Sequence, residues 1–333
     1  MKSARIFLIL IVASGCSAAS SLEDEREGEQ KASPSVQTTA GVLATPELIA
    51  SQVPAFVWKL DGADFFFTGG GDASPTDIVG RMPVGGGTYT ALASGQPVGW
   101  GIATDSEKIF WGGLGYVRTM PKAGGIPTTL WAEDNQYGTW LATDGTTVFF
   151  TTRENSGGNR LRRVPIAGGT SQVLYETTST TDLTELGLDT NNVYTAYRRD
   201  FLRIPKGGGT PTVVASFNEE PCRIHYDGAV AFLNLGNTIA RLPLAGGTPL
   251  TVFDGTVDGK TVYGCLSLAA DANNLYFSAY TEPFTVEGIF KVAKTGGAAV
   301  QIAAGQKTIY NMGVDAKYVY WSTGSAEVFR IPK

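Results

Sequence analysis

The chain is poor in the side chains that catalysis and metal binding draw on: 333 residues hold one histidine, three cysteines and four methionines. A lone His225 leaves no His–His metal pair, and there is no HExxH, P-loop, Gly-x-Ser-x-Gly elbow or paired-cysteine zinc motif. No stretch of the repeat region keeps a helical period, which excludes a helix bundle. The 26 basic residues are outnumbered by 31 acidic ones and form no basic stripe, so nucleic acid is a poor partner. The one pronounced apolar run, Ile6 to Val12, is too short to span a bilayer. Neither a cofactor nor a metal is implied, and the expectation is a protein that is not an enzyme.

What the chain has instead is a repeat. Asp61, Asp105, Asp144, Asp189, Asp227, Asp271 and Asp315 each close an apolar stretch, at spacings of 44, 39, 45, 38, 44 and 44 residues. That period points to a propeller or a solenoid. In the plainest unit, Met312-Gly-Val-Asp315 is followed by Tyr318-Val-Tyr-Trp-Ser322 and Val328-Phe-Arg-Ile-Pro332; other units add a Gly-Gly turn and a run such as Thr212 to Ala215. Short β-branched and aromatic runs bounded by Asp, Gly and Pro are strands. Each unit therefore offers four: A ends at the Asp, B is the aromatic run, C ends at Arg-x-Pro, and D follows Gly-Gly. The glycines supply the positive φ of the C–D turn, and the proline, lacking an N–H, marks where C leaves the ladder.

The C-strand cations Arg81, Arg118, Arg163, Arg203, Arg241, Lys291 and Arg330 again number seven, but unit seven ends without a D strand. Ala44 to Ser51 matches the D phrase Gly209 to Ser216, so residues 43 to 51 are expected to pair with 325 to 332 and close the ring. The fold expected is all-β: a seven-bladed β-propeller over residues 41–333, each blade four antiparallel strands, the last completed by the N-terminal strand. Six blades is the alternative, should one Asp–Arg pair be a decoy. A closed ring is expected to be a monomer.

Gly313-Val-Asp315 with Tyr320-Trp-Ser-Thr323, and Ile102-Ala-Thr-Asp105 with Phe110-Trp-Gly112, resemble the YWTD propeller repeats of low-density-lipoprotein-receptor-like proteins and related bacterial propellers. That family is six-bladed and usually keeps an acidic residue after the aromatics, which this chain mostly lacks. The resemblance implies a fold rather than a ligand.

Ahead of the array, Lys2 and Arg5, the apolar run and Ala13-Ser-Gly-Cys16 resemble a bacterial lipoprotein signal peptide over residues 1–15, with Cys16 lipidated after cleavage. An ordinary signal peptide with an incidental Cys16 is the alternative. Residues 16–40 are polar enough to form a flexible tether, so the propeller would be held at the cell envelope by acyl chains. Loss of Lys2 and Arg5 leaves 24 basic against 31 acidic groups, a net charge of −7, so no attraction to anionic headgroups is expected. Cys222 and Cys265 begin neighbouring A strands and are either bridged or two separate thiols.

Seven aspartates could collect a cation, but like charges aimed at one point repel, and Asp suits such turns by accepting N–H groups two residues on. The C-strand arginines are likewise expected to hold turn carbonyls or carboxylates. His225 stands two residues before Asp227, where other units mostly carry Ala or Gly; Lys59 takes the matching place in unit one. The irregular chemistry lies in loops entering A strands and joining B to C. Trp100, Tyr137, Trp140, Phe217, Tyr263 and Tyr310, with acidic neighbours Glu133 and Asp134, are the candidate binding face for a peptide, protein or glycan. The other class is a propeller lyase or glycan hydrolase using acidic residues of that face.

Overall fold

The computed structural model describes residues 43–333, apart from 56, 72–73, 97, 155–157, 180, 264–266, 282–285 and 307. The signal peptide, Cys16 and the whole of the tether lie outside the described residues, as does Cys265.

The described residues are all strand and turn, without a helix. They form six hydrogen-bonded antiparallel sheets, four of four strands and two of six, arranged like a β-propeller with at least five distinct blades. The ring closes as expected: Glu47–Ala50 lies antiparallel to Val328–Pro332, with Glu47 opposite Arg330 and Leu48 opposite Phe329. Arg330 holds Glu47 through two bonds of 2.8 Å, a bidentate pair that ties the two ends of the array.

Two sheets depart from the four-strand expectation: one adds the short hairpin of Thr256–Val257 and Lys260–Tyr263, and the other joins two units. Strand Thr128–Thr143 runs without a break from the D phrase of unit two into the A phrase of unit three, pairing first with Lys108–Pro121 and then with Thr147–Glu154. Lys108–Pro121 in turn contains both the B and C phrases of unit two, doubled back at Gly115, where φ is +74°.

Alternation along the B strands builds the core. Phe65 and Phe67 face one neighbour, with Trp58 and Tyr320, while Phe66 faces the other, with Ile109 and Trp111. Phe149 and Phe150 divide in the same way, Phe150 joining Phe110 and Trp131, and Phe149 joining Val193 and Leu202. This is the period of two expected of a sheet covered on both faces. Seven clusters of buried apolar residues result, each drawn mainly from two consecutive units, and Phe65, Phe110, Phe149, Phe232, Tyr276 and Trp321 are all at most 2% exposed.

The A strands lie innermost, where units touch each other most closely, so small residues are required. A Cβ on Gly187 would stand 2.1 Å from the Tyr226 ring of unit five, and one on Gly313 would stand 2.7 Å from Trp58 of unit one. At the C–D turns Gly208 and Gly209 have φ of +87° and +128°, a pair of values that excludes most side chains.

Candidate functional site

The aspartates are turn residues. In five units Oδ1 accepts the backbone N–H groups two and three residues on: Glu107 and Lys108 on Asp105, Thr146 and Thr147 on Asp144, Asn191 and Asn192 on Asp189, Asn273 and Asn274 on Asp271, Lys317 and Tyr318 on Asp315. In the other two, Asp61 and Asp227 precede Gly62 and Gly228, whose φ of +60° and +57° make the turn instead.

A second partner, absent from the sequence reading, completes most of these carboxylates. Where the residue five positions on is tyrosine, its hydroxyl donates to Oδ2 of its own unit: Tyr194 to Asp189, Tyr276 to Asp271 and Tyr320 to Asp315, at 2.7–2.9 Å. Where it is Phe66, Phe149 or Phe232, the lysine following the C strand of the next unit takes the carboxylate: Lys122 on Asp61, Lys206 on Asp144, Lys294 on Asp227. Lys333 pairs with Asp271 as well, at 2.8 Å. Units one, three and five carry Val84, Ile166 and Leu244 at the lysine position, packed into the apolar clusters. Burial alone would raise the Asp144 carboxyl, but bonds from Lys206, Thr146 and Thr147 overcome it and hold the pKa at about 2. Asp271 lies well below the usual carboxylate range for the same reasons, with Lys333 the strongest donor. Among the described residues no group of three acidic, His or Cys side chains could hold a metal.

The C-strand arginines also serve the fold. Arg163 donates to Gln172 on its own D strand and, at 2.6 Å, to the Lys206 carbonyl in the next unit. Arg118 holds Gln96 and lies over the Tyr116 ring, which it covers with a cation–π contact.

The opposite end of the strands is where the units differ. Tyr137 stands directly across from Leu114 on the extension of Thr128–Thr143, and both are exposed, at 39% and 52%. Glu133 is tied down: it pairs with buried Arg162 at 2.8 Å and accepts from Gln136 at 2.6 Å, while Arg162 lies over Trp131. Asp134 is exposed beside it. Phe217 is partly buried and packs against the cluster of Tyr194, Phe201 and Ile224. Tyr310 is half-buried, its hydroxyl close to Gly324. Trp100 lies in strand Val98–Thr104 and Tyr263 in Lys260–Tyr263, opposite Tyr280; their side chains are outside the described residues. Cys222 is disulfide-bonded.

Trp140 belongs to a group that register alone could have found. Trp140, Glu185 and Arg223 each stand four residues before the turn aspartate of three consecutive units, Trp140 and Arg223 on the inner strand and Glu185 just ahead of it. Arg223 reaches back over them, 3.1 Å from Glu185 Oε1 and 5.4 Å from the Trp140 ring centroid. Glu185 Oε2 also accepts the Ile224 N–H. Burial raises the Glu185 carboxyl pKa even against the Arg223 charge. Two residues further along the same strand is His225, which burial, reinforced by the charge of Lys59, lowers to about 4, so the imidazole is neutral at pH 7. Aligning repeats on their aspartates would have exposed Glu185 and Arg223; reading loops for aromatics passed over them.

Comparison with known proteins places the chain by fold only. No protein-family model and no curated protein matches it. Solved structures that do match include YCF48 bound to D1 peptide, at TM-score 0.63 and 12% identity over 88% of this chain and 97% of that one. A chain of the mitotic checkpoint complex matches at 0.62 and 12%, over 93% and 99%. BamB from Moraxella catarrhalis matches at 0.52 and 11%, over 88% and 99%. The chain is thus a β-propeller by its fold.

Proposed function

We propose that the protein is a lipid-anchored propeller of the cell envelope that binds a peptide or protein on its loop-rich end. The carrying observation is the raised lip of units two and three, where Leu114 and Tyr137 stand exposed side by side beyond the ring. Exposed paired apolar side chains rimmed by charge, here Glu133, Asp134 and Arg153, are the makings of a protein contact. Two of the similar folds were solved with partners, one with a peptide and one within a complex, which supports a scaffold role. Screening peptide and glycan arrays with the purified protein tests it. Tyr137→Ala and Leu114→Ala are expected to abolish the signal, and an array response that both variants retain would move the site elsewhere.

We read the ring as seven blades. The six-stranded sheet from Val98 to Thr177 holds two turn aspartates, Asp105 and Asp144, and a core cluster between its halves built on Phe110, Trp131 and Phe150, which supports counting it as two. Lipidation of Cys16 is tested by acyl labelling, lost in Cys16→Ser. We place the second cysteine of the Cys222 bridge at Cys265, which non-reducing peptide mapping would identify.

Glu185 supports a second reading. A carboxyl whose pKa is raised by burial, held on a neighbouring arginine, is the equipment of a general acid, the role a glycan hydrolase or lyase would need. If glycan turnover is detected, Glu185→Gln should remove it while leaving array binding at Tyr137 intact.

A further inference from the structure

One C-strand cation departs from the pattern of its repeats. Two positions can supply such a cation with an acceptor: the residue three after the turn aspartate, on strand B, and the residue directly opposite on strand D. In unit one the first is Asp64, 4.0 Å from Arg81. In unit three the second is Gln172, whose side-chain oxygen accepts twice from Arg163. In unit seven it is Glu47, held by Arg330 through two bonds of 2.8 Å. Unit five has Val230 and Leu250 in these places, and neither side chain can accept a hydrogen bond. No other unit is apolar at both.

Arg241 is left over as a result. Among the described residues it makes no ion pair and no hydrogen bond, and it does not repeat the bond of Arg163 to a carbonyl of the next unit. It lines a cleft of about 360 Å³ between units five and six, with Val230 and Leu250 beside it and Lys294 facing it from unit six. That volume falls within the ~300–1,000 Å³ of small-ligand sites.

The chemistry of the cleft is one-sided. Its single carboxylate, Asp227, is neutralised by Lys294, so the Arg241 guanidinium is the charge in excess. Leu250 is 47% exposed and Val230 only partly buried, so an apolar group lying there would remove carbon surface from water.

We propose that this cleft binds a small organic acid with an apolar tail. Its carboxylate takes on Arg241 the place that Glu47 takes on Arg330, two oxygens against the planar fork, and its tail lies along Val230 and Leu250. The site goes beyond the peptide-binding lip and does not depend on it.

Ligand-observed NMR titration of the full chain with hexanoate tests this, with acetate and hexylamine as controls. Hexanoate should bind in the ~1 mM range, acetate about tenfold or more weakly for want of the tail, and hexylamine not at all. Arg241→Met should weaken hexanoate binding about tenfold or more, as loss of a charge-assisted contact does. Leu250→Glu supplies from strand D the carboxylate that unit seven has in Glu47, and should abolish hexanoate binding without lowering the melting temperature. Tyr137→Ala should leave hexanoate binding unchanged, so failure here is distinct from failure at the lip. Absence of hexanoate binding, or binding undiminished in Arg241→Met or Leu250→Glu, overturns the proposal. A blocked peptide with a single glutamate that binds more tightly than hexanoate would assign the carboxylate to a protein and overturn the small-acid reading.

Discussion

The two ends of the ring follow opposite rules. At the aspartate end, five of the seven turns repeat one device and the other two use a glycine in its place, and even the variation is compensated, with Tyr194 doing for Asp189 what Lys206 does for Asp144. At the other end Trp140, Glu185 and Arg223 occupy one register position in three consecutive units and share no chemistry. A repeat holds a residue constant where every unit needs the same bond. It releases residues where only the assembled ring, not the single unit, has a use for them. The regular positions therefore report on folding and the irregular ones on binding.

The comparison breaks most visibly at the closure. Deleting residues 43–51 removes the partner of Val328–Pro332 and the Ile49 and Ala50 contribution to the core beside Trp58, and is expected to abolish a single cooperative unfolding transition in calorimetry. A preserved sharp transition would show that the last unit holds without its fourth strand. Next in size, Asp271→Ala strands the buried Tyr276 hydroxyl and the Lys333 ammonium. It should cost about 1–3 kcal/mol in denaturant unfolding, against less than about 0.5 kcal/mol for Asp134→Ala at the irregular end.

Acid should separate two contributions. Asp144 has its folded pKa depressed to about 2, so its stabilisation is complete above the unfolded carboxylate value of about 4 and is lost as pH falls from there toward about 2. His225 is depressed to about 4, so the unfolded chain takes up the proton first, and stability declines earlier, as pH falls from about 6.5 to about 4. Urea midpoints across that range should show two steps in the native protein and only the lower one in His225→Gln. Smallest of all, Tyr137→Ala should move stability by less than about 0.5 kcal/mol while removing ligand capture; a large loss of stability would make the lip a structural element.

Much of the fold was legible because its signals are local. Asp, Gly-Gly and Arg-x-Pro each act within a few residues, so their recurrence marks out strands and turns, and the match between Ala44–Ser51 and Gly209–Ser216 revealed the closing strand. The site was legible only in part. Phe217 reads as a loop aromatic, yet it packs against Tyr194 and Phe201. Glu133 reads as an acidic neighbour on the binding face, yet Arg162, distant in sequence, claims it. Glu185 and Arg223 carried a register signal, but nothing in their neighbourhood announced that they would meet.

The amino-acid sequence by itself determined the unit, the order of its strands and the turn chemistry, because backbone hydrogen bonding and period-two burial are settled between residues near one another along the chain or one repeat apart. Only the tertiary structure decided which side chains distant in sequence meet, as Arg162 meets Glu133 and Arg223 meets Glu185. Glu47 and Arg330 lie 283 residues apart at opposite ends of the array, and their pairing is a consequence of the ring closing, which no local pattern encodes.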